Sequence, residues 1–129
     1  MFLLDTNACI DFSRGKDDRL RGRLEQAFDA GLAISAITLA ELQAGAKSPA
    51  ADPTDERLLD VLIHSIAVLN FDANAAEHYG MIVREVGVKR RGFDRLIAAH
   101  ARSRDLTLVT TNERDFADVP GLRVENWTV

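Results

Sequence analysis

The chain begins with MFLLDTNACID (residues 1–11), in which a short apolar run is cut off by an aspartate. Phe2–Leu4 has the length and hydrophobicity of one buried strand, and Asp5 ends it. The pattern of Asn7–Ser13 predicts a helix, with Asn7 as its N-cap. Because ordinary turn residues usually follow a buried strand, the carboxylate of Asp5 is the first candidate functional group.

Short apolar runs alternate with helical patterns along the rest of the chain. The predicted strands are Phe2–Leu4, Leu32–Ile34, Ala67–Phe71, Leu106–Thr110 and an edge strand at Leu122–Glu125. The predicted helices are Asn7–Ser13, Asp17–Ala30, Thr38–Lys47, Asp55–Ser65, Ala73–Val86 with Asp72 as its cap, and Phe93–Arg104, with a turn or short helical segment at Asn112–Ala117. This alternation implies right-handed crossovers and a parallel sheet covered on both faces, so the predicted class is α/β. The strand order stays open.

The composition narrows the class of protein. The length of 129 residues, with 47% hydrophobic and 28% charged residues, is typical of one globular domain spanning 1–129. The single cysteine, Cys9, and three histidines leave no disulfide and no Cys/His metal cluster, which suits a reducing cytosol. MFLL is too short for a signal peptide, and no apolar run reaches the roughly 18 residues of a membrane span. We therefore expect a cytoplasmic protein without a membrane partner.

Further acidic side chains occupy places similar to that of Asp5. Glu41 lies in the helix after the second strand, Asp94 opens the helix before the late strand, and Asn112 and Asp115 follow that strand. Sites in an open parallel sheet form beyond the carboxyl ends of the strands. Each residue also has a structural alternative: helix capping for Asp5 and Asn112, a capping box with Thr38 for Glu41, a helix-start charge or an ion pair with Arg90, Arg91 or Arg95 for Asp94, and solvation for Asp115.

These alternatives do not explain why several acids fall near one sheet edge. Carboxylates gathered there would repel one another and raise one another's pKa values. A divalent cation removes that conflict, and Mg²⁺ prefers one or two carboxylates together with waters and substrate phosphates. The pattern therefore favours metal-assisted hydrolysis of a phosphodiester, in which the metal activates the attacking water.

Basic residues are concentrated around Asp94. Seven of the sixteen Lys and Arg residues fall between Arg84 and Arg104, although the formal net charge of −4 argues against a generic nucleic-acid coat. Lys89, Arg90 and Arg91, in a predicted loop, are the candidate contacts to an RNA backbone. For Arg102 and Arg104 a solvated helix face is the alternative.

Other side chains are weaker candidates. We expect Cys9 to belong to the core, His100 to be a partly buried helical histidine, and Trp127 to close over the fold or a dimer contact. The hydroxyls of Thr6, Thr110 and Thr111 could position water or phosphate, although threonine is common at strand ends.

Four stretches together resemble the PIN-domain ribonucleases, in particular the VapC-type toxins of bacterial toxin–antitoxin pairs. They are LLDTN at 3–7, SAITLAELQAG at 35–45, FDRLIAAHARSRDLTLVTTNERDF at 93–116 and PGLRVENW at 120–127. The resemblance implies a three-layer α/β/α sandwich around a mostly parallel sheet. It also implies Asp5 and Asp94 as principal Mg²⁺ ligands, with Mn²⁺ as a substitute, and Glu41 as the third acid.

One position departs from the family pattern. Many relatives have Asp where this chain has Asn112, and the nearest aspartate is Asp115, three residues on, so a second metal ion is in question. The resemblance further implies a homodimer, an RNA substrate such as tRNA, and inhibition by a cognate antitoxin in a heterotetramer or larger assembly. Operator DNA would be reached through the antitoxin.

The sequence thus predicts a Mg²⁺-dependent endoribonuclease toxin. Two alternatives stay open: a degenerate PIN domain that acts mainly as an antitoxin-bound co-repressor, and a hydrolase of DNA or another phosphate ester. Asn7, two residues after Asp5, disfavours an aspartyl-phosphate phosphatase, which would want an acid there. Thr110 and Thr111 stand where a receiver-type signalling domain would have lysine.

Overall fold

The computed structural model describes residues 1–15, 17–89 and 92–129. Its strands and helices in chain order are β1 (Phe2–Leu4), α1 (Thr6–Arg14), α2 (Asp18–Ala27), β2 (Leu32–Ser35), α3 (Ala36–Ala46), α4 (Pro53–Ser65), β3 (Ala67–Leu69), α5 (Ala73–Val86), α6 (Gly92–Ser103), β4 (Thr107–Val109) and β5 (Val124–Glu125). Short 3₁₀ turns follow α2 at Phe28–Ala30 and β4 at Glu113–Asp115. The predicted α/β class is confirmed.

The five strands pair in parallel in the order β3-β2-β1-β4-β5. Leu3 of β1 lies between Ala33 of β2 and Leu108 of β4. From β1 the chain first builds outward through β2 and β3, and then continues on the other side with β4 and β5. The strand order therefore reverses between β1 and β4, and a crevice forms at the carboxyl ends of strands at such a point.

The sheet separates two hydrophobic clusters, because successive side chains of a strand point to opposite faces. On one face, which we call the groove face, Leu4, Ile34 and Val109 pack against α1, α2 and α4. On the other, which we call the alanine face, Leu3, Ala33 and Leu108 pack against α5 and α6. This arrangement confirms the three-layer α/β/α sandwich.

Trp127 and Cys9 both lie on the groove face. Trp127 is 1% exposed, stacks edge-on against Phe2 with ring centroids 4.9 Å apart, and donates a 3.0 Å hydrogen bond to Glu125. Trp127 thus closes over the fold, as the first of its two predicted roles requires. Cys9 has no exposed surface. Burial, with a smaller contribution from the charge of Asp5, raises the pKa of its thiol far above the usual value.

The element boundaries differ from the predicted ones by a few residues. Helices α1, α3, α4 and α6 each begin one or two residues earlier than predicted. For α1, α3 and α4 the reason is that the residue at the end of the preceding strand or loop serves as the N-cap. The strands predicted at Ala67–Phe71, Leu106–Thr110 and Leu122–Glu125 are shorter, because apolar sequence continues beyond the paired residues. Asp72 caps α5 as predicted, accepting from the amide of Ala75 at 2.9 Å.

The described part of the chain has no helix with the length and apolar character needed to cross a membrane.

Candidate active site

Asp5 lies at the carboxyl end of β1 and is 4% exposed. Its Oδ1 accepts a 2.8 Å hydrogen bond from the amide of Ala8 and thereby caps α1. The predicted cap, Asn7, is wrong, because the helix begins directly after the strand and only Asp5 precedes its first turn. Capping is worth about 1 kcal/mol, and it fixes one oxygen of the carboxylate.

The second oxygen of Asp5 is fixed by the neighbouring strand. Thr110, which directly follows β4 and has no exposed surface, donates its hydroxyl to Oδ2 of Asp5 at 2.5 Å. The same hydroxyl oxygen accepts from the amide of Asn112 at 3.0 Å. Thr110 thus links the carboxyl ends of β1 and β4 across the point where the strand order reverses.

The pKa of Asp5 is raised to about 6. Burial is the largest cause, and the negative charges of Asp94 and Glu41 raise it further, while the hydrogen bonds from Thr110 and Ala8 lower it. The fold thus brings Asp94 and Glu41 within electrostatic range of Asp5. A carboxylate in this position favours a cation nearby.

Glu41 projects from α3 and is half-buried. Its Oε1 accepts a 2.7 Å hydrogen bond from the hydroxyl of Thr6 at the start of α1. The predicted capping box of Thr38 and Glu41 is wrong, because Ser35 caps α3 by accepting from the amide of Ile37 at 3.1 Å. Glu41 therefore does not cap α3, and its side chain is bonded to the first residue of α1, next to Asp5.

Asp94 lies in the first turn of α6. Of its predicted ion-pair partners, Arg95 directs both terminal nitrogens to the carboxylate of Asp118 at 2.8 Å each. Arg95 is 2% exposed and holds the segment after β4 against α6. The other two predicted partners, Arg90 and Arg91, lie outside the described residues.

Asn112 and Asp115 form a pair in the turn after β4. The Asn112 amide nitrogen donates to Oδ2 of Asp115 at 2.8 Å. Asn112 occupies the N-cap position of the 3₁₀ turn, as its alternative predicts, but it makes no side-chain capping bond. Asp115 is hydrogen-bonded rather than simply solvated. Asn112 therefore orients the nearby acid.

Two of the basic residues make specific hydrogen bonds that the sequence did not predict. Lys89 donates its ammonium to the backbone carbonyl of Asp115 at 2.6 Å. Arg102 is not a solvated side chain, because it donates to His78 at 3.1 Å, to Glu85 at 3.2 Å and to the carbonyl of Pro120 at 2.8 Å. Arg104 is exposed, as its solvated alternative predicts.

The donors available at this site are oxygens. Within residues 1–15, 17–89 and 92–129, no three or more His, Cys, Asp or Glu side chains lie close enough to enclose a metal ion together. Glu41 and Asp94 nevertheless lie within electrostatic range of Asp5, and hydrogen bonding leaves acceptor capacity on the Asp5 oxygens. Carboxylates that repel one another fit a hard divalent cation such as Mg²⁺ rather than zinc.

Two contributors were hard to foresee from the sequence. The sequence marks Thr6 and Thr110 only as hydroxyls that could position water or phosphate. In the structure Thr6 orients Glu41 and Thr110 orients Asp5. The position of Thr110 beside Asp5 depends on the β1–β4 pairing, which the alternation of elements leaves undefined.

Comparison with known proteins gives consistent matches along the chain. The PIN domain family model matches residues 2–122. The tRNA(fMet)-specific endonuclease VapC of Salmonella typhimurium is 38% identical over 131 residues, covering 98% of this chain and 97% of that protein. The protein of the same name from Shigella flexneri is 39% identical over 130 residues, covering 98% of each.

Solved structures show the same architecture. Rickettsia felis VapBC2 bound to a promoter DNA fragment contains a chain with a TM-score of 0.86 and 33% identity, covering 98% of both chains. VapBC-1 from nontypeable Haemophilus influenzae gives a TM-score of 0.85 at 28% identity, covering 99% of this chain and 98% of that one.

Proposed function

The chain belongs to the PIN-domain family, and from that membership we propose that it is a Mg²⁺-dependent endoribonuclease toxin of the VapC type. The observation that carries the proposal is the buried carboxylate of Asp5, placed where the strand order reverses and within electrostatic range of Glu41 and Asp94. The relatives named above as tRNA(fMet)-specific endonucleases make a tRNA the first substrate to try.

We assign Asp5 and Asp94 as the principal residues that would hold Mg²⁺, with Mn²⁺ as a substitute, and Glu41 as the third acid, which would bind the ion directly or through a water. When bound, the ion would lower the pKa of an attacking water and neutralise charge that develops on the phosphate. The protein's own groups orient the acids: the amide of Ala8 and the hydroxyl of Thr110 fix Asp5, and Thr6 fixes Glu41.

The turn after β4 would complete the acidic site. Asn112 holds Asp115 by a 2.8 Å hydrogen bond, so Asp115 supplies the carboxylate that many relatives have at position 112. Lys89 is tied to the same turn at 2.6 Å, and together with Arg90 and Arg91 it would bind the RNA backbone by charge.

We further propose a cognate antitoxin as partner, since similar chains were solved as VapBC complexes. Two adjoining cavities, of about 170 and 480 Å³, form a groove that begins at Glu41. The cavities share Ser13, Leu58 and Leu62, and exposed Phe28 and Val61 lie along the groove face. An apolar antitoxin segment lying there would reach the acids. The complex would be built on a toxin homodimer and would contact operator DNA through the antitoxin.

The central test replaces the acids without changing their size. Asp5→Asn and Asp94→Asn should lower the RNA cleavage rate by on the order of 10³-fold, because a metal ligand contributes several kcal/mol of transition-state stabilisation. Purified variants are compared with wild type on tRNA in Mg²⁺ and in EDTA, after thermal unfolding confirms that they are folded. Asp29→Asn, on the exposed turn after α2, is a matched control that should cut normally. Full activity of either site variant would exclude the assignment.

One observation favours a second candidate, a degenerate domain that serves as co-repressor. No three metal-binding side chains of the described residues lie together, and Asn112 stands where many relatives have Asp. In that case Asp5→Asn would leave operator binding by the antitoxin complex unchanged while wild type cuts no RNA. A DNA oligonucleotide in the same assay tests the remaining alternative, a DNA hydrolase.

A further inference from the structure

A hydroxyl–imidazole pair lies in the interior between α3 and α6. Ser35 and His100 have no exposed surface, and Nδ1 of His100 lies 2.8 Å from Oγ of Ser35 across a sequence separation of 65 residues. The imidazole also packs edge-on against Phe71, with centroids 5.5 Å apart. Helix α6 is thus bonded to the end of β2 and the start of α3.

Ser35 has two structural roles. It is the last residue of β2 and the N-cap of α3, and its Oγ accepts from the amide of Ile37 at 3.1 Å while it contacts the imidazole. A cap fixes how the chain enters a helix. By contacting the cap, the imidazole therefore helps to fix the direction in which α3 leaves β2. Helix α3 carries Glu41 six residues after Ser35, about 9 Å along the axis.

His100 stands in the same relation to an acid of α6. Asp94 precedes it by six residues, again about 9 Å along the helix axis. The Ser35–His100 contact consequently joins two helices at points that are equally far from their acids. The neighbouring buried residues of α6 are short: Ala98, Ala99 and Ala101. Because a hydrogen bond depends on both distance and angle, the Ser35–His100 bond constrains how the two helices are placed relative to each other.

The pair is not the most stable way to fill this space. Burial, followed by the charge of Arg104, lowers the pKa of His100, whereas Asp72 raises it, so the imidazole is neutral near pH 7. Its Nε2 has no hydrogen-bond partner within the described ranges. A buried polar atom without a partner costs free energy, and a leucine in the same place would not incur that cost. The hydrogen bond of the polar pair instead fixes the relative direction of the two helices.

We propose that Ser35 and His100 are positioning residues that set the separation of Glu41 from Asp94, a role that rests on the proposed metal-dependent nuclease. His100 touches neither substrate nor metal in this role and acts through the cap of α3. The pair resembles the outer hydrogen bonds that orient metal ligands, whose removal typically costs about 10–100-fold in metal affinity or activity.

The test compares His100→Leu, His100→Asn and His100→Gln with wild type. Asn places its amide nitrogen near the position of Nδ1, whereas the amide of Gln lies further out. Ile82→Val is the matched control, because Ile82 is fully buried in the layer that α5 and α6 form and lies outside the Ser35 contact. Three quantities are measured: hydrogen exchange of the Ile37 amide in EDTA, Mg²⁺ affinity by calorimetry, and kcat and KM on RNA.

We expect His100→Leu and His100→Gln to speed exchange at Ile37, to weaken Mg²⁺ binding about tenfold and to lower kcat with little change in KM. His100→Asn should recover most of each quantity, and Ile82→Val should lower only the melting temperature. If His100→Leu does not fold, the Asn and Gln variants decide, and equal behaviour of these two overturns the proposal.

The proposal is also overturned if His100→Leu matches wild type in Ile37 exchange, Mg²⁺ affinity and kcat. If the wild-type chain neither binds Mg²⁺ nor cuts RNA, the proposed function fails. The Ile37 exchange then still decides whether His100 holds the start of α3.

Discussion

The two faces of the sheet are built from different side chains. The groove face uses large residues, including Leu20, Leu24 and Trp127, and it leaves cavities between its helices open to solvent. The alanine face packs α6 closely through Ala98 and its small neighbours. Asp94 comes from the closely packed face, whereas Glu41 borders the groove. The difference separates a closely packed face, which carries Asp94, from a face whose groove is the antitoxin surface proposed above.

The largest effects should come from changing the packing of each face. Leu20→Ala, on the groove face, should lower the free energy of unfolding by about 2–5 kcal/mol through a cavity, with kcat unchanged below the melting temperature. Ala98→Leu should cost about 1–3 kcal/mol by overpacking and should also lower kcat, because it moves the helix that carries Asp94. Urea unfolding and RNA cleavage measure both. Equal loss of kcat in the two variants would remove the distinction between the faces.

The raised pKa of Asp5 predicts that the free energy of unfolding depends on pH. The pKa of Asp5 is raised from 3.8 to about 6 in the folded chain, so folding binds a proton between these values. The stabilisation is fully present below about pH 4 and is lost as the pH rises through about 6, a change of roughly 2–4 kcal/mol.

Asp5→Asn provides the reference for that measurement. Urea unfolding in EDTA from pH 4 to 7.5 should show that wild type loses stability relative to Asp5→Asn as the pH rises. Parallel curves for the two proteins would show that the carboxylate is not destabilised by burial and by its acidic neighbours.

A charge on the groove face should separate recognition from catalysis. Val61 is 65% exposed beside the groove, so Val61→Glu should change stability by less than about 0.5 kcal/mol. It should weaken antitoxin binding by about 1–2 kcal/mol, or roughly tenfold, and leave RNA cleavage intact. Met81→Glu, at a 38% exposed position on α5, is the matched control. Equal binding of antitoxin by both variants would exclude the groove.

The smallest effect is expected for the basic residue of the turn. Lys89→Met should weaken RNA binding by about 1 kcal/mol and reduce the slope of log affinity against log salt by about 1. Filter binding with Asp5→Asn protein at several salt concentrations measures this. An unchanged salt slope would mean that Lys89 serves only to hold the carbonyl of Asp115.

The sequence predicted the α/β class, because strand-length apolar runs alternate with amphipathic helices. It also singled out Asp5, Glu41 and Asp94, which the fold brings into electrostatic range. Two caps, Asn7 for α1 and the Thr38–Glu41 box for α3, were misassigned. Asp5, directly after β1, and Ser35, the last residue of β2, cap these helices instead. Such double roles depend on where pairing stops, which hydrophobicity does not define.

The sequence pattern could not predict contacts between residues that lie far apart in the chain. The Thr110–Asp5 bond spans 105 residues and exists because β4 pairs with β1. The bidentate bond from Arg95 to Asp118 likewise required the path of the chain after β4. A periodic pattern identifies which face of an element is buried, whereas the partner of a buried polar group is set by topology.

The burial of Cys9 has a chemical consequence. The thiolate is the reactive form of cysteine, and both the apolar surroundings and the negative charge of Asp5 suppress it. Burial, with the charge of Asp5 adding to it, therefore protects the chain's one sulfhydryl from peroxides and alkylating reagents. A maleimide probe introduced through a surface cysteine would report on that position alone, which leaves the native sequence ready for site-specific labelling.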